Sequence, residues 1–103
     1  MNDYRDYNYR SADDRLDLYA RIYECDAPPL LLMHGLTRNA SDFDGLAAHL
    51  APHYRLIVPE QRGRGNSEYD SDTANYKPEV YASDMFALLG SLGIEQTTLI
   101  GTS

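Results

Sequence analysis

The residues best suited to chemistry are Gly101-Thr102-Ser103, which follow the short apolar run Thr97-Thr98-Leu99-Ile100. A serine on a sharp turn at the end of a β-strand has its hydroxyl held clear of the backbone, and Gly-x-Ser is the first half of such a turn, Gly-x-Ser-x-Gly. Ser103 is therefore the candidate nucleophile for acyl transfer. Serine is weakly nucleophilic at neutral pH and needs a base to take its proton, itself oriented by an acid. No such pair is identifiable in the sequence. A Gly-x-Ser tripeptide alone is common, so its weight rests on what precedes it.

Other chemistries fit poorly. Arg62-Gly63-Arg64-Gly65 resembles an Arg-Gly segment or a phosphate loop. However, it lacks the third glycine of a dinucleotide loop, and no Gly-Lys-Ser or Gly-Lys-Thr occurs. No His-Glu-x-x-His and no close Cys and His pairing supports a metal site, so no metal and no cofactor is expected. Cys25 is the one cysteine, cannot form an internal disulfide, and suits a reducing compartment as an ordinary strand residue. Nine Lys and Arg against sixteen Asp and Glu leave a net charge of -7, which repels nucleic acid and anionic membrane. The start Met1-Asn2-Asp3-Tyr4-Arg5-Asp6 has neither the basic beginning nor the apolar core of a secretory signal, and no stretch approaches a membrane span. The expectation is a cytoplasmic protein.

The elements that must position Ser103 follow from periodicity. With 103 residues, 43% apolar and 24% charged, the chain is sized for one small globular domain. Residues 1–15 alternate tyrosine with Arg and Asp and read as a solvated tail or an exposed edge strand. Leu16, Leu18, Ala20 and Ile22 share one face of a half-buried antiparallel strand. Leu30-Leu31-Leu32-Met33 is a continuous apolar run, as in a strand buried on both faces of a parallel sheet. The spacing then predicts a helix capped by Ser41, with Asp44 near N3 and Phe43, Leu46, Ala47 and Leu50 on its apolar face, ended by Pro52. Leu56-Ile57-Val58 is the next strand, and residues 59–67 form a glycine-rich loop. Pro78 opens a second helix whose stripe is Tyr81, Met85, Leu88 and Leu92, ending at Gly93. The last strand runs into Ser103.

Strand, helix, strand, helix, strand at this spacing makes two successive βαβ units. Right-handed crossovers with helices on opposite faces place the Leu30–Met33 strand between the other two, beside the strand that ends in Ser103. Ligands in open α/β sheets bind at such switch points, beyond the carboxyl ends of the strands. The loop His34-Gly35-Leu36-Thr37-Arg38 and Ser103 would share that crevice.

Three pieces now occur in order, each after a strand: His34-Gly35, Glu60-Gln61-Arg62-Gly63-Arg64-Gly65-Asn66-Ser67, and Gly101-Thr102-Ser103. Together they resemble the N-terminal half of an α/β-hydrolase, over roughly residues 16–103. The nearest branch holds esterases, haloperoxidase-like enzymes and carbon-carbon bond hydrolases, whose loop often reads Asp-x-Arg-Gly-x-Gly-x-Ser. Glu60 stands where Asp is usual, and its extra methylene is expected to loosen the turn.

The resemblance implies an α/β-hydrolase fold, a mostly parallel, doubly wound sheet with helices on both faces, of which residues 1–103 form the N-terminal half of a single domain. It implies Ser103 as nucleophile, the Leu36 backbone N–H as one oxyanion-hole donor, and Gly35 and Leu36 as substrate-binding. It assigns His34 to bracing its loop rather than to proton transfer. His49 and His53 read as surface residues. The acid and the histidine of the triad would follow Ser103, so the C-terminal half is required and the 103 residues alone are expected to be inactive and poorly folded. The implied activity is hydrolysis of a small carboxylic ester, lactone or related carbonyl compound, without a cofactor. Hydrolytic carbon-carbon cleavage of a diketone, or a ligand receptor on the same fold, are the alternatives.

Overall fold

The computed structural model describes residues 4–34 and 40–101. Its frame is a five-stranded sheet in the order β1-β2-β4-β3-β5. The strands are β1 (Arg5–Arg10), β2 (Asp17–Tyr23), β3 (Pro29–Met33), β4 (Arg55–Glu60) and β5 (Thr98–Gly101). β1 and β2 are antiparallel, as are β2 and β4, whereas β3 runs parallel to both β4 and β5. The central place of β3 is the one that right-handed crossovers require.

Alternation along the strands sorts the core into two layers. Leu31, Met33 and Ile57 pack with Leu18, Ala20, Ile22 and Leu88 on one face, where Met85, Leu89 and Leu92 add their partly buried side chains. Leu30, Leu32, Leu56 and Val58 pack with Phe43 and Ala47 on the other, where Leu50 joins them. Helix α2 (Pro78–Ser91) therefore covers the first face and α1 (Asp44–Leu50) the second. Both faces of β3 and β4 are buried, which accounts for their unbroken apolar sequence. β2 is also interior, so Tyr19 and Tyr23 are buried along with the predicted apolar face. The strand is buried on both sides rather than half-buried.

Helix α2 begins at Pro78 with proline in the first turn and stops before Gly93, whose φ of 72° suits a residue without a side chain. Helix α1 departs from expectation. A 3₁₀ turn over Ala40–Phe43 precedes it, Phe43 occupies the N-cap position, and no side chain caps the helix. The tighter turn brings Ala40 and Phe43 into the core at 1% and 3% exposure, and their burial fixes the start. Leu46, predicted on the apolar face, is 41% exposed. β4 also runs two residues further than its apolar triplet, taking in Pro59 and Glu60. Residues 5–10 adopt the edge-strand form.

Candidate active site

The parallel strands deliver their carboxyl ends to one edge of the sheet, where Met33 of β3 and Gly101 of β5 are register partners. Neighbouring strands lie about 4.8 Å apart, so these two strand ends lie side by side. Gly35, Leu36 and Ser103 lie outside the described residues, but the anchors of both segments are in place.

The loop between His34 and Ala40 is held at both ends by consecutive residues of β4 and its exit. His34 is buried, and its Nε2 accepts the Gln61 backbone N–H at 2.9 Å. That bond places the ring proton on Nδ1 and occupies the nitrogen that a general base would need, so His34 braces the loop. At the other end, Glu60 Oε2 accepts the Ala40 backbone N–H at 3.0 Å. Glu60 Oε1 accepts the Asn66 backbone N–H at 2.8 Å and the Asn66 amide at 3.3 Å. The extra methylene thus does not loosen the turn. It sets a carboxylate, only 3% exposed, between the two loops and fills its acceptor positions.

Gly65 makes room for that carboxylate. Its φ is 55°, and a Cβ there would collide with the Glu60 carboxylate, so both backbone and space demand glycine. The glycine-rich loop is closed by further bonds. Ser67 Oγ donates to the Glu60 carbonyl at 2.7 Å and accepts the Tyr19 N–H at 2.9 Å.

Arg62 is neither a phosphate ligand nor an RNA contact. It is 1% exposed, and its Nε and Nη2 grip both oxygens of Asp84 at 2.7 and 3.0 Å. Its Nη1 reaches Asp70 at 2.7 Å, and Nη2 approaches Asp13 at 3.3 Å. Arg15 adds a second cation to Asp70 at 2.7 Å. The network joins the turn after β1, the glycine-rich loop and α2 beneath the sheet's carboxyl edge. Periodicity gives no sign of it, because Asp13, Asp70 and Asp84 lie far apart in a chain rich in exposed acids.

These contacts hold Asp13 down to about 2, through the Ser11 hydroxyl first and Arg62 next. Asp70 is held well below the ordinary carboxylate range by the Asp72 N–H, then by Asn75, Arg15 and Arg62. The folded state therefore binds fewer protons than the unfolded chain at these sites. Their contribution is complete above the unfolded carboxylate value of about 4 and is lost as pH falls through the folded values. In the complete protein, the melting temperature is expected to drop between about pH 4 and pH 2. The drop should be shallower in an Asp13→Asn, Asp70→Asn double variant; parallel pH profiles would contradict the assignment.

A larger hollow of about 580 Å³ lies elsewhere, lined by Pro28, Pro29, Phe86, Glu95, Gln96, Thr97 and Thr98. Apart from Phe86 of α2, these residues are at the amino ends of β3 and β5, opposite the edge that Met33 and Gly101 reach. Among the described residues, no group of three or more His, Cys, Asp or Glu is disposed to hold a metal ion. No helix among them is long and apolar enough to cross a membrane.

Comparison with known proteins gives consistent matches. The chain is 42% identical over 74 residues to a 3-hydroxybutyrate-oligomer hydrolase of Cupriavidus necator, covering 72% of this chain and 25% of that protein. It is 36% identical over 77 residues to a fluoroacetate dehalogenase of a Burkholderia species, covering 72% of this chain and 25% of the other. Among solved structures, an alpha/beta hydrolase from Novosphingobium aromaticivorans superposes with a TM-score of 0.91 at 46% identity, covering 100% of this chain and 36% of that one. The chain thus spans about a quarter of the length of the curated relatives it matches. A family model described as alpha/beta hydrolase fold matches residues 28–103, the span that holds all three loop motifs, and the chain belongs to that family.

Proposed function

We propose that the complete protein bearing this chain is a serine hydrolase that cleaves a small carboxylic ester, lactone or related carbonyl compound by acyl transfer. Ser103 is the nucleophile, the Leu36 N–H donates to the oxyanion, and Gly35 and Leu36 line the acyl site. No cofactor takes part in this scheme. The remainder of the domain supplies the acid, the base and the second oxyanion donor, and covers β5, whose Leu99 is 54% exposed. The observation that supports the reading is the pairing of Met33 with Gly101, the last strand residues before the two motifs in sequence. The relative named for 3-hydroxybutyrate oligomers supports an ester substrate, since one hydroxy acid joins another through an ester.

In this scheme the hydroxyl attacks the carbonyl carbon, negative charge gathers on the carbonyl oxygen, and fixed N–H groups stabilise it more in the transition state than in the substrate. The test separates backbone from side chain. Leu36→Ala should keep ester turnover within about tenfold, whereas Leu36→Pro, which removes the N–H, should lose about a hundred- to a thousandfold in kcat. Unfolding curves on both variants control for damage to the loop. Equal losses in the two, or full activity in the proline variant, would remove Leu36 from the oxyanion hole.

A further inference from the structure

The glycine-rich loop carries a second arginine whose surroundings are unlike those of Arg62. Arg64 is half-buried, and its Nη1 donates to the Arg62 carbonyl at 2.9 Å and to the Tyr81 hydroxyl at 3.0 Å. Its guanidinium carbon lies 5.6 Å from the Tyr76 ring centre and 5.3 Å from that of Tyr81. Among the described residues no carboxylate pairs with it, and its Nε and Nη2 have no hydrogen-bond partner. The acids nearby in the fold are engaged: Asp84 by Arg62, and Asp70 by Arg62, Arg15 and Asn75.

Arg64 borders a cleft of about 240 Å³, lined with Arg62, Gly63, Tyr69 and Tyr76. The cleft is built of fixed parts. The Tyr76 hydroxyl donates to the Asp70 carbonyl at 2.9 Å and accepts the Asp70 N–H at 2.7 Å, which locks the ring. Gly63 has φ of 71°, and a Cβ there would sit 3.0 Å from the Tyr76 hydroxyl, so a side chain would crowd the cleft. Tyr69 stands edge-on to Tyr76 at 6.1 Å between ring centres and is 76% exposed, an aromatic wall with one side in water.

We infer that this cleft binds a small carboxylate with a flat apolar body. The Nε and Nη2 edge of a guanidinium matches the two oxygens of a carboxylate through parallel hydrogen bonds. Tyr69 offers a ring for the flat body to lie against. The charge of the ligand follows from the balance: Arg62 is neutralised by its own acids and the chain is strongly acidic, so one cation is available for one negative charge. A doubly charged phosphate would meet more repulsion. At this volume the cleft falls below the about 300–1,000 Å³ of pockets that enclose drug-sized ligands, so the ligand is small.

The experiment uses the complete protein and benzoate as the probe, followed by calorimetric titration. Saturable binding is expected, weakened about tenfold or more in Arg64→Gln. Arg64→Lys, which keeps the charge without the fork, should fall between the two. Benzamide, with the same shape and no charge, should not displace benzoate, and inorganic phosphate should bind more weakly. Tyr69→Ala alters an exposed side chain and so keeps the test open if Arg64 variants fold poorly; it too should weaken benzoate. Absence of saturable binding to the parent protein would overturn the inference. So would equal affinity in folded Arg64→Gln or in Tyr69→Ala, competition by benzamide, or tighter binding of phosphate.

Discussion

Replacing Ser103 by alanine in the complete protein is expected to lower ester turnover on the order of a millionfold, with the unfolding transition little changed. The magnitude follows from the covalent role. A hydroxyl that forms the acyl-enzyme cannot be substituted by binding energy, because binding lowers the substrate and the transition state together unless an interaction is made only in the latter. The residual rate should come from the oxyanion donors and from orientation alone. Substrate affinity should be largely retained, since removing one oxygen leaves the pocket walls in place. Steady-state turnover of an activated ester, compared with equilibrium binding of an uncleavable analogue, checks both parts. Activity within about tenfold of the parent would exclude Ser103 as the nucleophile.

The largest effect on stability is expected at Arg62. Its side chain is 1% exposed and touches Asp84, Asp70 and Asp13, so Arg62→Leu would leave the buried Asp84 without its cation and Asp70 and Asp13 with Arg15 alone. Removing one partner of a buried ion pair costs about 3–5 kcal/mol, because the remaining charge is neither solvated nor matched. Arg62→Lys should recover part of that, since a point charge persists but the two-pronged grip on Asp84 does not. The loss should also shrink in acid, as Asp13 and Asp70, both held low in the folded state, become protonated. Denaturant unfolding of the complete protein measures it. A midpoint unchanged by Arg62→Leu would contradict the role given to this network.

The frame of the fold was legible because burial leaves a periodic trace. Leu30–Met33 and Leu56–Val58 are apolar without interruption, since a helix covers each face of the sheet there, and α2 carries an apolar stripe and a proline start. Handedness then sufficed to place β3 beside β5. The start of α1 was misread because Ser41 and Asp44 have the spacing of a cap, while the buried Ala40 and Phe43 govern the turn. The polar framework was hidden for a different reason. Glu60 looks like a loop acid and Arg62 like a surface cation, and only the tertiary fold shows that one bridges Ala40 to Asn66 and the other binds three distant acids. Gly35, Leu36 and Ser103, to which the sequence motifs and the family resemblance point, lie outside the described residues, whereas Glu60 and Arg62, which tie the described segments together, follow no sequence period at all.

Passage of an acyl group through Ser103 can be read by mass spectrometry of the complete protein quenched during turnover. Mixing with an excess of 4-nitrophenyl butyrate, quenching in acid and digesting should yield one butyryl group per active chain, on the peptide containing Ser103. The burst of nitrophenolate should match it in amplitude, as expected for an acyl-enzyme that forms faster than it is hydrolysed. An acyl group mapped to a different residue, or full turnover with no acylated chain at any quench time, would exclude Ser103 as the acyl carrier.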